Sequence, residues 1–451
     1  MKIQKQVPLT EGPILKSLTG LAVPIMISSF LGTLYNITDM AWIGLLGSKA
    51  VAAVGVGGMY VWLSQGLASL ARMGGQVHVA QCLGRGDKEQ AHRYAKTAVQ
   101  LSILLGLAFA AVSLLFTDPL VGFFKLEGVK TILDAKIYMR ITCGLILFSF
   151  LNLTLTGLYT AQGDSKTPFV ANFIGLLINL LLDPLLILGV GPFPRIEVAG
   201  AAVATVSAQL VVMLVMMVGV FRSKKEENVL KGIRLFEPFS KEELGNICKI
   251  GGPTAIQGMV YCMISMVLTR MVAAFGAEAI ATQRVGGQIE SVSWNTADGF
   301  AAALNAFVGQ NYGAKKMDRV QEGYRISFWT VAIWGALIML AFIIFPGPIA
   351  GVFFHEEKAM EIAISYLIII GFSEAFMCVE LMTIGALSGL GKTKLCSVIS
   401  ITATSMRIPL AMVLSRTSLG LDGIWWALTL TSVAKGIIFY LTFRYQMREK
   451  C

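Results

Sequence analysis

The stretches AQCLGRGDKEQA (80–91) and GQNYGAKKMDRV (309–320) each end one apolar segment and precede another. Gln81 and Gly84 in the first correspond to Gln310 and Gly313 in the second, 229 residues later. Three further pairs keep an offset of 228 or 229 residues: Pro24 with Pro253, Gly157 with Gly385, and Gly163 with Gly391. Five landmarks at a nearly constant offset indicate that one unit occurs twice along the chain.

The composition indicates a membrane protein. Of the 451 residues, 55% are hydrophobic and only 14% are charged, and the mean hydropathy is +0.70. Soluble domains have about 25% charged residues. Apolar runs of about 20 residues, which is the length that spans a bilayer as a helix, recur along the whole chain. A soluble helical protein would have shorter, amphipathic core helices, so the composition argues against that class.

Windows of apolar residues between glycine, proline and charge clusters predict twelve transmembrane helices. They lie near 18–46, 50–82, 94–116, 134–160, 168–191, 199–221, 246–275, 279–311, 324–346, 361–389, 395–415 and 423–444. The longest polar stretch, residues 222–243, is almost at the midpoint. The prediction is an N-terminal lobe of six helices (1–221), a linker (222–243) and a C-terminal lobe of six helices (244–451).

Basic residues set the predicted orientation. With the N-terminus in the cytoplasm, most lysines and arginines of the short loops, and those of the linker, lie on the cytoplasmic side. The positive-inside rule therefore places both termini in the cytoplasm. The net charge of +10 then reflects the basic residues of the cytoplasmic loops, which indicate the orientation of the helices in the membrane. A nucleic-acid surface is not indicated, because the basic residues are spread over separate loops.

Six helices per half is an even number, so both halves have the same orientation in the bilayer. Two such repeats are related by a pseudo-two-fold axis along the membrane normal. The predicted fold is an all-α polytopic membrane protein with two six-helix lobes. The first helix has no signal-peptide pattern and is treated as retained. The seven cysteines are scattered, without a CxxC motif, and indicate neither disulfides nor a metal site.

The repeated motifs resemble a known family. The two opening stretches, together with GLYTAQGDSKTP (157–168) and GALSGLGKTK (385–394), look like those of the multidrug and toxic compound extrusion (MATE) family of secondary antiporters. The resemblance covers nearly the whole chain. It implies export of organic compounds in exchange for a cation, without a cofactor.

Charged groups at membrane depth are costly, by roughly 2.5–3.5 kcal/mol on insertion scales, and suggest function. Asp39, Asp183 and Thr205 each lie roughly seven or eight residues from the outer end of their predicted helices. At that spacing, one shared site in the outer half of the bilayer is possible. An alternative is that Asp183 caps backbone groups beside Pro184, where a kink is expected, and that Asp39 reaches outward.

Two same-face pairs extend this predicted site. Tyr35 precedes Asp39 by four residues and Asn179 precedes Asp183 by four, so each pair shares one side of a helix. Carboxylates, an amide and hydroxyls form an oxygen-rich set suited to Na⁺ or to shared protons. A Mg²⁺ or transition-metal centre is not favoured, because no histidine is nearby. The resemblance, to the DinF-like branch in particular, implies cation coupling at Asp39, Asn179, Asp183 and Thr205.

The C-terminal half has its own intramembrane polar residues, which are candidates for substrate binding or secondary coupling. They are Gln257, Glu290, Asp298, Glu374, Glu380, Arg284 and Arg407. Arg407, followed by Pro409, occupies roughly the place of Asp183 and Pro184 in the first half, so the repeated position has changed sign. The NorM-like branch has an acid in its seventh helix, but residues 251–277 contain none. A NorM-type sodium site in this lobe is therefore not favoured.

The predicted function is a cation-coupled antiporter that exports amphipathic, often cationic, organic compounds by alternating access across a cell membrane. The chain is expected to act as a monomer, without nucleic acid. An alternative is a lipid-linked oligosaccharide flippase of the same superfamily, whose pyrophosphate cargo would favour Arg284 and Arg407. An intramembrane enzyme is not indicated, because no catalytic constellation is present. The sequence leaves open whether the ion is Na⁺ or H⁺, and which substrate is carried.

Overall fold

The structure is a computed structural model, and it describes residues 7–126, 128–189, 194–223, 228–235, 237–238, 240–354 and 356–448. Within these residues it contains helices and no strand. Helices of the first half are α1 (Ile14–Gly44), α2 (Ser48–Gly84), α3 (Lys88–Leu115), α4 (Thr117–Gly122), α5 (Val129–Gly144), α6 (Leu147–Ala161), α7 (Lys166–Ile187) and α8 (Glu197–Arg222). Helices of the second half are α9 (Lys241–Ala273), α10 (Ala277–Gly313), α11 (Met317–Ile344), α12 (Pro346–Gly351), α13 (Glu357–Gly371), α14 (Glu374–Gly389), α15 (Thr393–Ser405), α16 (Arg407–Leu414) and α17 (Leu421–Arg448).

Most predicted spans correspond to one long helix. Among the described residues, nine helices are long and apolar enough to cross a membrane, with α15 and α16 counted together. Two bent pairs, α5 with α6 and α13 with α14, would raise the number to eleven. The remaining predicted span corresponds to α10, which has 37 residues but is not among the apolar helices. Its arginine and acidic side chains lower its hydropathy.

The fourth predicted helix of each half is not straight. α5 and α6 are bent by 43°, and α13 and α14 by 50°. The first helix of each pair ends at a glycine, Gly144 or Gly371. The prediction of continuous helices at 134–160 and 361–389 was therefore wrong in this respect. Hydropathy does not mark such a break, because the residues on both sides of it are apolar.

Helix ends extend beyond the apolar windows. α3 begins at Lys88, whereas its apolar window begins near residue 94. The side chain of Asp87 accepts a hydrogen bond of 2.9 Å from the backbone N–H of Gln90, which caps this helix. The first turns of α3 are polar, so the membrane part of the helix is shorter than the helix itself.

The chain divides into two compact units. The first contains residues 1–7 and 27–258, and the second contains residues 8–26 and 259–451. The start of α1 thus groups with the second unit, and the start of α9 groups with the first. The beginning of α1 therefore belongs to the first half of the sequence but to the second unit, and the beginning of α9 belongs to the second half but to the first unit.

Candidate functional site

One face of α7 carries the central predicted residues. Its buried residues are Pro168, Ala171, Gly175, Asn179, Asp183 and Ile187. Spacings of three or four residues place them along one side of the helix. Gly175 permits close packing on α8, because a Cβ there would lie 2.3 Å from Val212 Cγ2. The absence of a side chain at Gly175 therefore lets α7 pack closely on α8. Asn179 and Asp183 follow one and two turns further along the same face of α7.

Asn179 and Asp183 contact each other inside the first unit. Asn179 Nδ2 donates to Asp183 Oδ1 at 3.2 Å. Asn179 is 1% exposed and Asp183 is fully buried. The second carboxylate oxygen of Asp183 has no hydrogen-bond partner in the described part of the chain. A buried carboxylate oxygen without a donor is costly, so this atom is suited to hold a proton or a cation.

α1 and α8 bring the other predicted residues to the same place. The phenol of Tyr35 donates to Thr205 Oγ1 at 2.9 Å. Asp39 is buried, and its Oδ1 has no hydrogen-bond partner among the described residues. Asp39 and Asp183 interact electrostatically, and Tyr35 interacts with both acids. The five predicted N-terminal residues therefore form one cluster, here called the N-lobe cluster: Tyr35, Asp39, Asn179, Asp183 and Thr205.

Sequence reasoning missed Tyr138, on α5. This buried residue interacts electrostatically with both Asp39 and Asp183. Gly57 on α2 leaves room for its ring, because a Cβ at Gly57 would lie 2.4 Å from Tyr138 Cδ1. Gly57 and Tyr138 are 81 positions apart, and a single sequence gives no indication that two such residues pack against each other. The phenol adds a possible hydrogen-bond donor to the N-lobe cluster.

The N-lobe cluster offers two carboxylates, an amide and hydroxyls from three helices, α1, α7 and α8. Hard oxygen atoms of this kind suit Na⁺. Two carboxylates close together in an apolar medium also favour sharing a proton. In the described parts of the chain, no group of three or more histidine, cysteine, aspartate or glutamate side chains could hold a metal ion. Pro184 lies beside the cluster, and α7 continues past it to Ile187.

A second polar cluster lies within the second unit. The phenol of Tyr366 on α13 donates a hydrogen bond to Glu290 Oε1 on α10. Glu374, the first residue of α14, is 1% exposed, and its two oxygens have no hydrogen-bond partner among the described residues. Glu290 and Glu374 interact electrostatically. The predicted acids Glu290 and Glu374 are therefore neighbours, and Tyr366 is a further residue that the sequence did not reveal.

Arg407 begins α16 and is almost completely buried. Its Nε donates to Thr431 Oγ1 at 3.0 Å, and its Nη2 donates to Ser432 Oγ at 2.9 Å. No carboxylate of the described residues lies within 4 Å of this guanidinium. Glu290 interacts with it at longer range. The buried cation thus contacts neutral hydroxyls of α17.

Glu380 has a basic partner that the sequence analysis missed. Lys435 Nζ on α17 lies 2.8 Å from Glu380 Oε1, and both side chains are 6% exposed. A survey of basic residues within the twelfth apolar window would have found Lys435. Of the remaining predicted residues, Gln257 is partly buried on α9, Arg284 is exposed on α10, and Asp298 is partly buried about two turns beyond Glu290.

Comparison with known proteins identifies the family. The MatE family model matches residues 24–185 and again residues 253–413, which is one match in each half of the chain. The chain belongs to the MATE family. As a member of this family it is a multi-pass membrane transporter and not an enzyme. The two matches agree with the duplication that the repeated glycines and prolines predict.

The matches to individual relatives cover nearly the whole of this chain. The probable multidrug resistance protein NorM of Thermotoga maritima is 29% identical, over 98% of this chain and 95% of its own length. An FAD transporter of Shewanella oneidensis is 25% identical, over 96% of this chain and 95% of its own. A solved MATE structure in the straight conformation has a TM-score of 0.90 with 24% identity, over 99% of both chains. These matches do not single out the DinF-like branch, which stays an expectation.

Proposed function

We propose that this MATE transporter is a cation-coupled antiporter that exports amphipathic, often cationic, organic compounds, and that the N-lobe cluster binds the coupling ion. One observation carries the proposal. Asp39 and Asp183 are both buried, they interact, and each has a carboxylate oxygen without a hydrogen-bond partner in the described residues. Multidrug relatives such as the Thermotoga protein support organic compounds as the substrate class.

In the proposed mechanism, the coupling ion and the cationic substrate compete for the negative charge of Asp39 and Asp183. When the two acids bind H⁺ or Na⁺ from outside, their charge is neutralised, and the helices α1 and α7 that carry them can repack. Neutralisation removes the attraction for a cationic substrate. Coupling of two ligands is reciprocal. The substrate must therefore lower the affinity for the ion by the same factor by which the ion lowers the affinity for the substrate.

The proposed orientation follows from charge. The polar linker and the turns after α2 and α10 carry more basic residues than the turns at the opposite ends of the helices, so these ends are assigned to the cytoplasm. Both termini then lie in the cytoplasm, and we propose that the transporter works as a monomer. The N-lobe cluster then lies towards the outer face, because Asp39 and Asp183 are near the far ends of α1 and α7.

The test is transport of a fluorescent organic cation by the purified protein in liposomes, driven in turn by a Na⁺ gradient and a pH gradient. In the wild type, one of the two gradients should drive transport and thereby identify the ion. Asp183→Asn and Asp39→Asn should lose that dependence, because an amide does not replace an ionised carboxylate.

Asp134→Asn is the matched control. Asp134 is a carboxylate on α5 whose electrostatic partners are Lys130 and Glu197 and not the N-lobe cluster. This variant should keep the wild-type coupling. If the response to the gradient survives in both cluster variants, the aspartates are structural and the proposal is wrong. Coupling would then have to be sought at Glu290 and Glu374.

A second candidate function is transport of cargo with an anionic group, as in the lipid-linked oligosaccharide flippases. The observation that favours it is the burial of Arg407 without a carboxylate within 4 Å in the described residues. The relative named as an FAD transporter is consistent with anionic cargo. If no organic cation moves under either gradient, a fluorescent lipid-linked pyrophosphate should be tested in the same liposomes.

A further inference from the structure

A cavity of about 490 Å³ lies within the first unit, between the start of α3, the linker and the start of α9. It is here called the linker cavity, and the residues that line it include His92, Lys96, Arg234 and Glu243. Its volume is in the range of sites for small molecules, roughly 300–1,000 Å³. The linker contacts Gln162, just before α7, whereas Asp183 of the N-lobe cluster is near the other end of α7, roughly 25 Å away at 1.5 Å per residue. The linker cavity is therefore a separate site.

Hydrogen bonds at Val229 fix the linker side of this cavity. The backbone N–H of Val229 donates to Gln162 Oε1 at 3.0 Å, and its carbonyl accepts a hydrogen bond of 2.7 Å from Nδ1 of the lining residue His92. Leu230, the next residue of the linker, is 4% exposed and packs in the core of the first unit. The linker cavity is therefore preformed, and a ligand does not have to order the chain around it.

The arginine and lysine side chains of the linker cavity each have an acidic partner. Arg93 Nη2 lies 2.6 Å from Glu89 Oε1. Lys96 Nζ lies 2.7 Å from one carboxylate oxygen of Glu237, and Arg234 Nη1 lies 3.7 Å from the other. An anionic ligand would have to displace one of these carboxylates, so the linker cavity does not favour an anion.

Glu243 is the carboxylate of the linker cavity that has no ion pair. It is 4% exposed, and Gln90 Nε2 donates to its Oε1 at 3.3 Å. Among the residues that the structure describes, its Oε2 has no hydrogen-bond partner, and Arg93 interacts with Glu243 only at longer range. A buried carboxylate without a counter-ion is costly, so the linker cavity lacks one positive charge.

The missing charge suits an organic ammonium ion, whose N–H groups are hydrogen-bond donors for a carboxylate. Within the described ranges, no group of three or more histidine, cysteine, aspartate or glutamate side chains could hold a metal ion instead. A second hollow of about 520 Å³ shares Arg234 and Glu237 with the linker cavity and is also lined by Ile233 and Leu235. Apolar side chains beside a cavity that lacks one positive charge favour an amphipathic amine with a single charge.

We propose that the linker cavity binds an amphipathic monoamine, with its ammonium group beside Glu243 and its apolar part along Ile233 and Leu235. This site is additional to the transport function proposed above and does not depend on it. The bound amine contacts the linker and the start of α9 together, so its binding stabilises the attached linker. Because the linker is assigned to the cytoplasm, the amine enters from that side.

The test is hydrogen exchange of residues 228–235 in the purified protein, with and without phenethylamine. All samples carry Asp39→Asn and Asp183→Asn, so that the acids of the N-lobe cluster do not bind the amine. 2-Phenylethanol is the control ligand, because it has the same apolar part and no charge. Saturating amine should slow the exchange at least two-fold, and the alcohol should leave it unchanged. Equal protection by both compounds, or no protection by the amine, would overturn the proposal.

Glu243→Gln tests the carboxylate, and Glu242→Gln is its matched control. Both acids lie in the first turn of α9, but Glu242 is exposed and does not line the cavity. Glu243→Gln should weaken the binding of phenethylamine at least ten-fold, measured from the concentration dependence of protection, whereas Glu242→Gln should match the parent protein. An equal loss in both variants would contradict a specific role of Glu243. Glu243→Gln should unfold at a temperature no lower than the parent protein, because it removes an unpaired buried charge.

Ser240→Phe is a second variant, which fills the linker cavity and leaves every charge in place. Ser240 lines the cavity just before α9. The ring should abolish protection by phenethylamine although Glu243 is unchanged. Protection that persists in Ser240→Phe would place the amine elsewhere and overturn the proposal. Binding is measured without an ion gradient or transport, so failure of this proposal and failure of the coupling mechanism are separate results.

Discussion

Lys435 Nζ lies 2.8 Å from Glu380 Oε1, and both side chains are 6% exposed. The other oxygen of Glu380 has no hydrogen-bond partner among the described residues. A buried ion pair of this kind holds two helices, α14 and α17, in one register. Removal of one partner leaves an uncompensated buried charge, which is more costly than removal of both.

Glu380→Gln should therefore destabilise the protein by about 3–5 kcal/mol, the cost usually found when one member of a buried pair is removed. The measurement is thermal unfolding of the purified protein in detergent. The double variant Glu380→Met with Lys435→Met should recover most of the stability. A Glu380→Gln variant as stable as the wild type would show that the pair contributes little, and Glu380 would return as a candidate coupling residue.

Tyr35→Phe should lower the apparent affinity for the coupling ion about five-fold, which corresponds to one hydrogen bond of about 1 kcal/mol. The lost bond joins the phenol to Thr205 Oγ1. The initial rate of transport is measured against ion concentration. Thr205→Val should have a similar effect, and the double variant should be no worse than either single variant. Additive effects would mean that the two side chains act separately.

Gly175→Ala should destabilise the first unit by about 1–3 kcal/mol, as overpacking usually does. The added methyl would meet Val212 Cγ2 at 2.3 Å and push α7 away from α8. Thermal unfolding measures the loss, and Val212→Ala in the same chain should restore it by creating room. Gly58→Ala is the control, because nothing lies within 4 Å of its Cβ position. A destabilisation of the same size at Gly58 would indicate a general effect of helix glycines.

Attachment of the linker to α3 should weaken in acid. Lys96 Nζ lies 2.7 Å from Glu237 Oε2, and this hydrogen bond holds the pKa of Glu237 below its ordinary value. A carboxylate with a lowered pKa stabilises the attached state above its ordinary pKa of about 4.3, and that contribution is lost as the pH falls through the lowered value. Hydrogen exchange of residues 228–235 should therefore change little between pH 7 and 5 and rise near pH 3, after correction for the intrinsic rate.

Glu237→Gln is the variant that separates this contribution from general acid unfolding. At pH 7 it should already show the faster exchange, and its exchange should no longer respond to the ionisation of residue 237. Gln100 Nε2 also donates to the carbonyls of Leu235 and of residue 237, at 2.8 and 2.7 Å. These bonds do not titrate, so the linker should loosen without complete release. No difference between variant and wild type at pH 7 would contradict the role of the ion pair.

The sequence by itself determined the class of fold. A bilayer offers no water to backbone groups, so each backbone N–H and C=O must be paired within the protein, and continuous apolar runs of about 20 residues indicate spanning helices. The constant offset between Gln81 and Gln310 and between Gly84 and Gly313 revealed the duplication. The cost of a charge in the membrane singled out Asp39 and Asp183 from the other acids, and their spacing from helix ends predicted a common depth.

Only the tertiary structure decided which side chains meet. Tyr138 reaches Asp39 and Asp183, and Lys435 pairs with Glu380, through contacts between helices far apart in sequence. Such contacts depend on the rotation and packing of each helix, which are set by close approaches like that of Gly175 to Val212. Hydropathy averages over a window and carries no information on rotation. The bends after Gly144 and Gly371 were hidden for the same reason, because apolar residues continue through both breaks.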